Sequence, residues 1–327
     1  MKKSPYSTNY EGKPRFIGIE IEFAGLELEE IVSIIIDEIG GKADYKGKFE
    51  CKISDTEFGE FGDIAVELDA SLLKSEKLGE YLNKMGIEDE EYADTIEDFL
   101  SKAAKEVVPM EVVSPPIPLE KLPEFERVRE ALHKNAAQGT RDSVFHAFGL
   151  HLNPELPSLE ANEIRDFLKA FVITYDWLKE KHDIDTSRRL TPYIDPFQDD
   201  YIKHILQPDY NPDIEILIDD YLEFNPTRNR PLDMLPLFTF IDEKRVTSVI
   251  DDGLTTSRPT FHYRLPNCEL SDPDWSIIKE WNIWVIVERL AHSKEKLNTL
   301  SETHLEWLEN PAKRVLKEIG KKIDNLF

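Results

Sequence analysis

Strict alternation of apolar and polar residues is clearest at Phe16-Ile17-Gly18-Ile19-Glu20-Ile21-Glu22-Phe23. Successive strand residues face opposite sides of a sheet, so Ile17, Ile19, Ile21 and Phe23 share one face and Gly18, Glu20 and Glu22 the other. Further strand signals fall at residues 48–53, 63–68, 110–113 and 146–152, with one late strand at 260–265. Helical periodicity places Leu28, Ile31, Val32, Ile35 and Ile39 on one stripe, and predicts further helices at 89–107 and 119–135, the latter ended by Gly139. The second half reads as mainly helical. Helices are expected at 158–182 (opened by a Ser158 cap), at 213–224, at 272–292 (Asp272 before Pro273), and at 301–319 with a split at Pro311. The stripe Trp275, Ile278, Trp281, Trp284 and Val285 reads as core. The late strand is expected to return to the first-half sheet, giving one intertwined α+β domain with a mostly antiparallel sheet packed by helices.

Composition narrows the class. The chain has 327 residues, 40% of them hydrophobic and 10% aromatic, enough for a sizeable core. Its 65 acidic against 40 basic residues leave a net charge of −25. Such a surface repels nucleic acid and anionic membrane, so neither is expected as a partner. An anionic substrate needs a locally basic or metal-loaded pocket to overcome this field. Cys51 and Cys268 form no CxxC pair, and a reducing, cytoplasmic location is the simpler expectation. The basic start Met1-Lys2-Lys3 lacks the apolar stretch of a signal peptide. The helical pattern at 275–290 is too polar to span a membrane.

Acidic residues recur inside strand patterns, although carboxylates are poor strand formers. Glu20 and Glu22 share a face. So do Glu67 and Asp69, opposite Val66 and Leu68, and Glu111 lies in the apolar run before Ser114-Pro115-Pro116. Each alone reads as a wetted strand face; together they read as the lining of a site for hard divalent cations. Gly149-Leu150-His151-Leu152-Asn153 puts His151 and Asn153 on one face, and Phe261-His262-Tyr263-Arg264-Leu265 does the same for His262 and Arg264. An arginine on an acidic face is an ion-pair partner or a phosphate-binding group. The loop Asn225-Pro226-Thr227-Arg228-Asn229-Arg230-Pro231 offers Arg228 and Arg230 for a carboxylate or nucleotide phosphate, with surface charge balance as the plainer alternative; Arg188 and Arg189 are weaker candidates. No GxxxxGK[ST] phosphate loop is present.

In order, Phe-Ile-Gly-Ile-Glu-Ile-Glu-Phe (16–23), Leu-Asp-Ala-Ser (68–71), Glu-Val-Val-Ser-Pro-Pro (111–116), Gly-Leu-His-Leu (149–152) and Tyr-Arg-Leu-Pro-Asn (263–267) resemble the amidoligase family, related to glutamine synthetase and glutamate–cysteine ligases. The resemblance spans roughly residues 15–292 and implies three parts: an extension over 1–14, a glutamine-synthetase-like catalytic domain over 15–292, and a helical extension over 293–327. It implies an ATP- and Mg²⁺-dependent carbon–nitrogen ligase acting through an acyl phosphate. Its substrates are expected to be small-molecule or peptide carboxylates and amines, and its relatives include rings and smaller assemblies. Carried over by position, Glu20, Glu22 and Glu111 hold Mg²⁺, with His151 beside metal or phosphate and His262 at a further ligand position. Arg264 stabilises the transferring phosphoryl group; Arg228 and Arg230 are added as nucleotide contacts. Asp69 and Ser71 fall in the motif that handles metal or amine. Phosphoryl transfer relies on positioning and charge neutralisation, and this residue set supplies both. Two positions depart from the family pattern. Asn153 stands where a second histidine is common, and His262 where a glutamate is usual. They motivate two alternatives, a catalytically drifted binding or scaffold protein and a metal-dependent hydrolase.

Overall fold

The protein is described here by a computed structural model, covering residues 1–68, 109–135, 137, 148–184, 194–250, 253, 255–309 and 322–324. Among these, nine strands form one antiparallel sheet: β1 (Phe16–Phe23), β2 (Lys42–Tyr45), β3 (Glu50–Ser54), β4 (Ile64–Leu68), β5 (Met110–Val113), β6 (Ile117–Pro118), β7 (Leu150–Pro154), β8 (Leu232–Asp233) and β9 (His262–Tyr263). Their order is β2-β3-β4-β5-β1-β7-β9-β8, with β6 paired to β1. β1, the longest strand, lies between β5 and β7. Its isoleucines are fully buried on one face, and each contributes roughly 1.5–3 kcal/mol of hydrophobic stabilisation.

Helices cover that apolar face. α1 (Leu28–Ile39) lays Leu28, Ile31, Val32, Ile35 and Ile39 against β3 and β4 and ends where Gly40 turns with φ 72°. α2 (Leu122–Lys134) packs beside it, Phe125 against Phe58 with ring centroids 5.5 Å apart. α3 (Ala161–Lys181) and α7 (Ile277–His292) pack on each other and on β9 through Phe167, Phe171, Trp284, Phe261 and Tyr263. Trp281 and Trp284 are fully buried, as the expected core stripe requires. Between them in sequence lie α4 (Asp199–Leu206), α5 (Ile214–Phe224, capped by the Asp213 carboxylate on Ile216 N–H) and α6 (Leu235–Thr247). α8 (Lys294–Glu309) rests on α3, α4 and α7. Residues before β1 are tied down as well: Tyr6 stacks near Phe167 and His292, and Arg15 forms a buried 2.8 Å ion pair with Glu288. No helix among the described residues is long and apolar enough to cross a membrane.

The late strand does pair with β7, through Leu152 and Tyr263, so second-half residues complete the first-half sheet. Several boundaries differ from expectation. Helix α3 starts at Ala161, because Ser158 Oγ accepts from Glu160 N–H one step too early to cap it. Helix α7 starts after Ser276, whose Oγ takes the Lys279 N–H, while Asp272 closes a local turn onto Asp274 N–H. The 260–265 strand shrinks to two residues plus a bridge at Thr260. Helix α8 begins at Lys294, seven residues before the expected start at 301. Strands β2, β6 and β8 and helices α4 and α6 were not expected. The helix expected at 89–107, the Gly139 stop, the start of the 146–152 strand and the Pro311 split lie outside the described residues.

Candidate active site

The opposite face of the sheet collects the polar members of every alternating strand. Register sets Glu50 opposite Glu67, Glu67 opposite Glu111, and Glu111 opposite Glu22, a row of carboxylates across β3, β4, β5 and β1. Like charges directly opposed across strands are destabilising, so this row costs stability unless a donor or cation joins it. On the other side of β1, Glu20 stands opposite His151 and Gly18 opposite Asn153; His262 stands opposite Asp233 at the far edge.

Glu20 is the hub. One carboxylate oxygen lies 2.7 Å from His151 Nδ1 and 3.5 Å from His262 Nε2. The other accepts from Asn153 Nδ2 at 2.9 Å and approaches Arg258 Nη2 at 3.4 Å. Arg258 also donates to Asn153 Oδ1 at 3.0 Å. Glu22 accepts the Gly149 N–H at 2.6 Å, and its second oxygen lies 3.3 Å from His151 Nε2. The two imidazoles meet edge to face, centroids 5.1 Å apart. Behind His262, the fully buried Asp233 carboxylate lies 3.4 Å from Nδ1 and accepts the Leu235 N–H at 2.9 Å. The result is a chain Asp233–His262–Glu20–His151–Glu22 across β8, β9, β1 and β7.

This chain is short of protons. A neutral imidazole carries one N–H, yet both nitrogens of His151 face carboxylates, and so do both of His262. Burial pushes the His151 pKa down, against the pull of Glu22 and Glu20, which favours the neutral ring. Burial would raise the Glu20 carboxyl, but the adjoining His151 and His262 rings outweigh it and hold Glu20 well below the usual carboxylate range. The buried His262 Nε2 makes no hydrogen bond. Neutral imidazole nitrogens turned toward ionised carboxylates are what a divalent cation needs. Among the described residues, two sets of three ligand atoms fall within 4.8 Å of one another: Glu20, His151 and His262, and Glu22, Glu111 and His151. The residues present therefore fit metal ions.

Of the sequence-predicted site residues, the structure brings together Glu20, Glu22, Glu111, His151 and His262. Arg264, one step beyond β9, donates through Nη1 to the Arg228 carbonyl at 2.6 Å, so these two arginines are neighbours. Arg230, the other expected nucleotide contact, lies in the same loop as Arg228. It is buried, its guanidinium donates to the carbonyls of Asp195, Pro196 and Phe224, and it lies over the Phe197 ring, which makes it a brace for the loop. Asp69, Ser71, Arg188 and Arg189 lie outside the described residues. Sequence reasoning missed Asp233 and Arg258. An acid between apolar residues in Pro231-Leu232-Asp233-Met234 was the available signal for the first; Ser257-Arg258-Pro259 carries none.

Fold and site together define an α+β protein with a carboxylate–imidazole cluster on one face of an antiparallel sheet. The chain belongs to the family described as "putative amidoligase enzyme", whose model matches residues 13–286. Membership makes it an enzyme of ligase type. No curated protein and no solved structure matches the chain.

Proposed function

We propose that the protein is an ATP- and Mg²⁺-dependent carbon–nitrogen ligase of glutamine-synthetase-like fold, its catalytic unit spanning residues 15–292. It would join a small-molecule or peptide carboxylate to an amine through an acyl phosphate. One observation carries the reading: an amidoligase-family chain gathers Glu20, Glu22, Glu111 and His151 into two adjoining metal-ligand sets on one sheet face. Glu20, Glu22 and Glu111, with His151 and His262, are the proposed metal ligands. Bound Mg²⁺ supplies charge neutralisation at the nucleotide phosphates and orients them.

The remaining work falls to the chain itself. Gly149 N–H fixes one Glu22 oxygen and leaves the other toward His151. Asn153 and Arg258 hold Glu20 from the side away from the imidazoles. Arg264 and Arg228 supply fixed positive charge for the transferring phosphoryl group, in a protein otherwise hostile to anions. Arg230 braces the loop that carries Arg228 through its Nη donors to the Asp195, Pro196 and Phe224 carbonyls, and stays a proposed nucleotide contact. Asp69 and Ser71 are retained as the amine-handling positions on family grounds. The acidic surface steers a cationic amine toward the site and keeps nucleic acid away; a cytoplasmic setting and self-association both fit the reading.

The test is release of ADP and phosphate, with an amide product seen by mass spectrometry, from ATP, Mg²⁺ and a mixed pool of acids and amines. Glu111→Gln and Arg264→Ala should each abolish product. Unchanged turnover in both variants would refute the site. Failure of ATP with Mg²⁺ to raise the melting temperature of the wild-type protein would favour the scaffold alternative, since a specific ligand must stabilise the folded state.

A further inference from the structure

Asp233 lies outside the family motifs found in this sequence, yet it is fully buried directly behind His262. One of its oxygens is pinned by the Leu235 N–H at the start of α6; the other faces His262 Nδ1 at 3.4 Å. A carboxylate behind an imidazole fixes which ring nitrogen carries the proton. Here it places the proton on Nδ1 and turns the lone pair of Nε2 toward Glu20. That nitrogen is buried, makes no hydrogen bond, and stands 3.5 Å from a carboxylate oxygen. A lone pair against an anion is unfavourable unless a cation joins them.

The ligand set formed this way, one carboxylate and two imidazole nitrogens, differs in kind from its neighbour. The set Glu22, Glu111 and His151 is oxygen-rich, whereas Glu20, His151 and His262 is nitrogen-rich. Hard Mg²⁺ favours oxygen donors, and imidazole favours the later divalent transition ions.

We infer that Asp233 is a positioning residue that aims His262 Nε2 into the cluster, and that the Glu20–His151–His262 pocket takes a divalent transition-metal ion in preference to Mg²⁺. The inference rests on the metal-binding reading above; a neutral His151 has a single lone pair, which it gives to this pocket, leaving Glu22 and Glu111 as the oxygen donors of the second position. His262 is then a ligand of altered preference, and Asp233 from the neighbouring strand restores the carboxylate character that the usual glutamate would have brought.

The experiment uses Co²⁺ as a spectroscopic probe and Mg²⁺ as competitor, on the full chain without ATP or substrates. The wild-type protein should bind Co²⁺ with visible absorption bands that persist in excess Mg²⁺. Asp233→Asn should weaken Co²⁺ binding roughly 10–100-fold, shift those bands, and leave Mg²⁺ affinity unchanged. Equal Co²⁺ affinity and spectrum in D233N would overturn the role of Asp233. Displacement of Co²⁺ by equimolar Mg²⁺ from the wild type would overturn the metal preference. Should D233N lower the metal-free melting temperature, His262→Glu decides: it should move selectivity toward Mg²⁺, and an unaltered Co²⁺-to-Mg²⁺ ratio sinks the inference. Failure of the ligase reading would look different, as Co²⁺ bound as described by a protein that turns over no ATP with any acid and amine.

Discussion

Two histidine–carboxylate clusters flank β9, one on each side of the sheet, and their proton supply differs. On the helix-covered side, His182 at the end of α3 bonds Glu280 of α7 through Nδ1 and the Tyr263 hydroxyl through Nε2. One neutral imidazole satisfies both, since it donates to the carboxylate and accepts from the hydroxyl. On the open side, His262 sits between Asp233 and Glu20, and His151 between Glu20 and Glu22, with carboxylates at every ring nitrogen. The first cluster is complete as folded. The second turns a carboxylate to both nitrogens of each ring, with Arg258 beside Glu20, and its residues fit a cation. Similar residues, similarly buried, form a closed joint in one place and a set that fits a ligand in the other, and the group opposite the second nitrogen makes the difference.

Breaking the closed cluster should cost the most. His182→Ala leaves Glu280 buried without its partner and is expected to destabilise the protein by roughly 3–5 kcal/mol, read from denaturant unfolding; a loss near zero would show the joint to be incidental. Breaking the open cluster should instead cost function. Glu20→Gln is expected to reduce ATP-dependent amide formation by about 100-fold or more, as removal of one preorganised electrostatic group does, with metal-free stability kept. A large drop in that variant's melting temperature would instead make Glu20 a structural group. Metal should discriminate between the sides. A divalent ion at about 100 times its Kd is expected to add about 2.7 kcal/mol to wild-type stability, removable by EDTA and carried over intact to Trp284→Phe but diminished in His262→Ala. Equal gains in wild type and His262→Ala would remove His262 from the ligand set.

The smallest effect concerns a buried cation belonging to neither cluster. Lys169 on α3 lies under the Tyr210 ring, and burial pushes its pKa down to about 8, helped by Arg165. The folded state therefore binds fewer protons than the unfolded chain between pH 8 and the ordinary lysine value. Stability rises with pH across that window, and the full cost is present below it. Lys169→Met should stabilise the protein at pH 7 by on the order of 1 kcal/mol once solvent screening is allowed for. That gain should shrink as pH passes 8 and vanish near 10.5. A gain independent of pH would assign it to packing instead.

Some of this was fixed by local pattern. The alternation of Phe16–Phe23 decided which residues of β1 face the core, because side-chain direction along a strand depends only on sequence parity. The same parity put Glu111, His151 and His262 on polar faces before any strand was paired. The apolar stripe of α1 was legible for the same reason, with partners within four residues. Register was not legible. That Glu111 stands opposite both Glu22 and Glu67, or that a two-residue strand at Leu232–Asp233 sets Asp233 behind His262, depends on pairing between segments far apart in the chain. Helix starts erred where two capping residues lay close together, as at Asp272 and Ser276, because the choice between them is made by how α7 must sit on α3 and β9. The carbonyl contacts of Arg230 were not legible either, because a loop arginine facing carbonyls and one facing solvent have the same sequence surroundings. The sequence by itself determined a set of acids and histidines on polar strand faces. Only the tertiary structure decided which nitrogen faces which oxygen, and so which histidine meets both a carboxylate and a hydroxyl and which meets carboxylates on both sides.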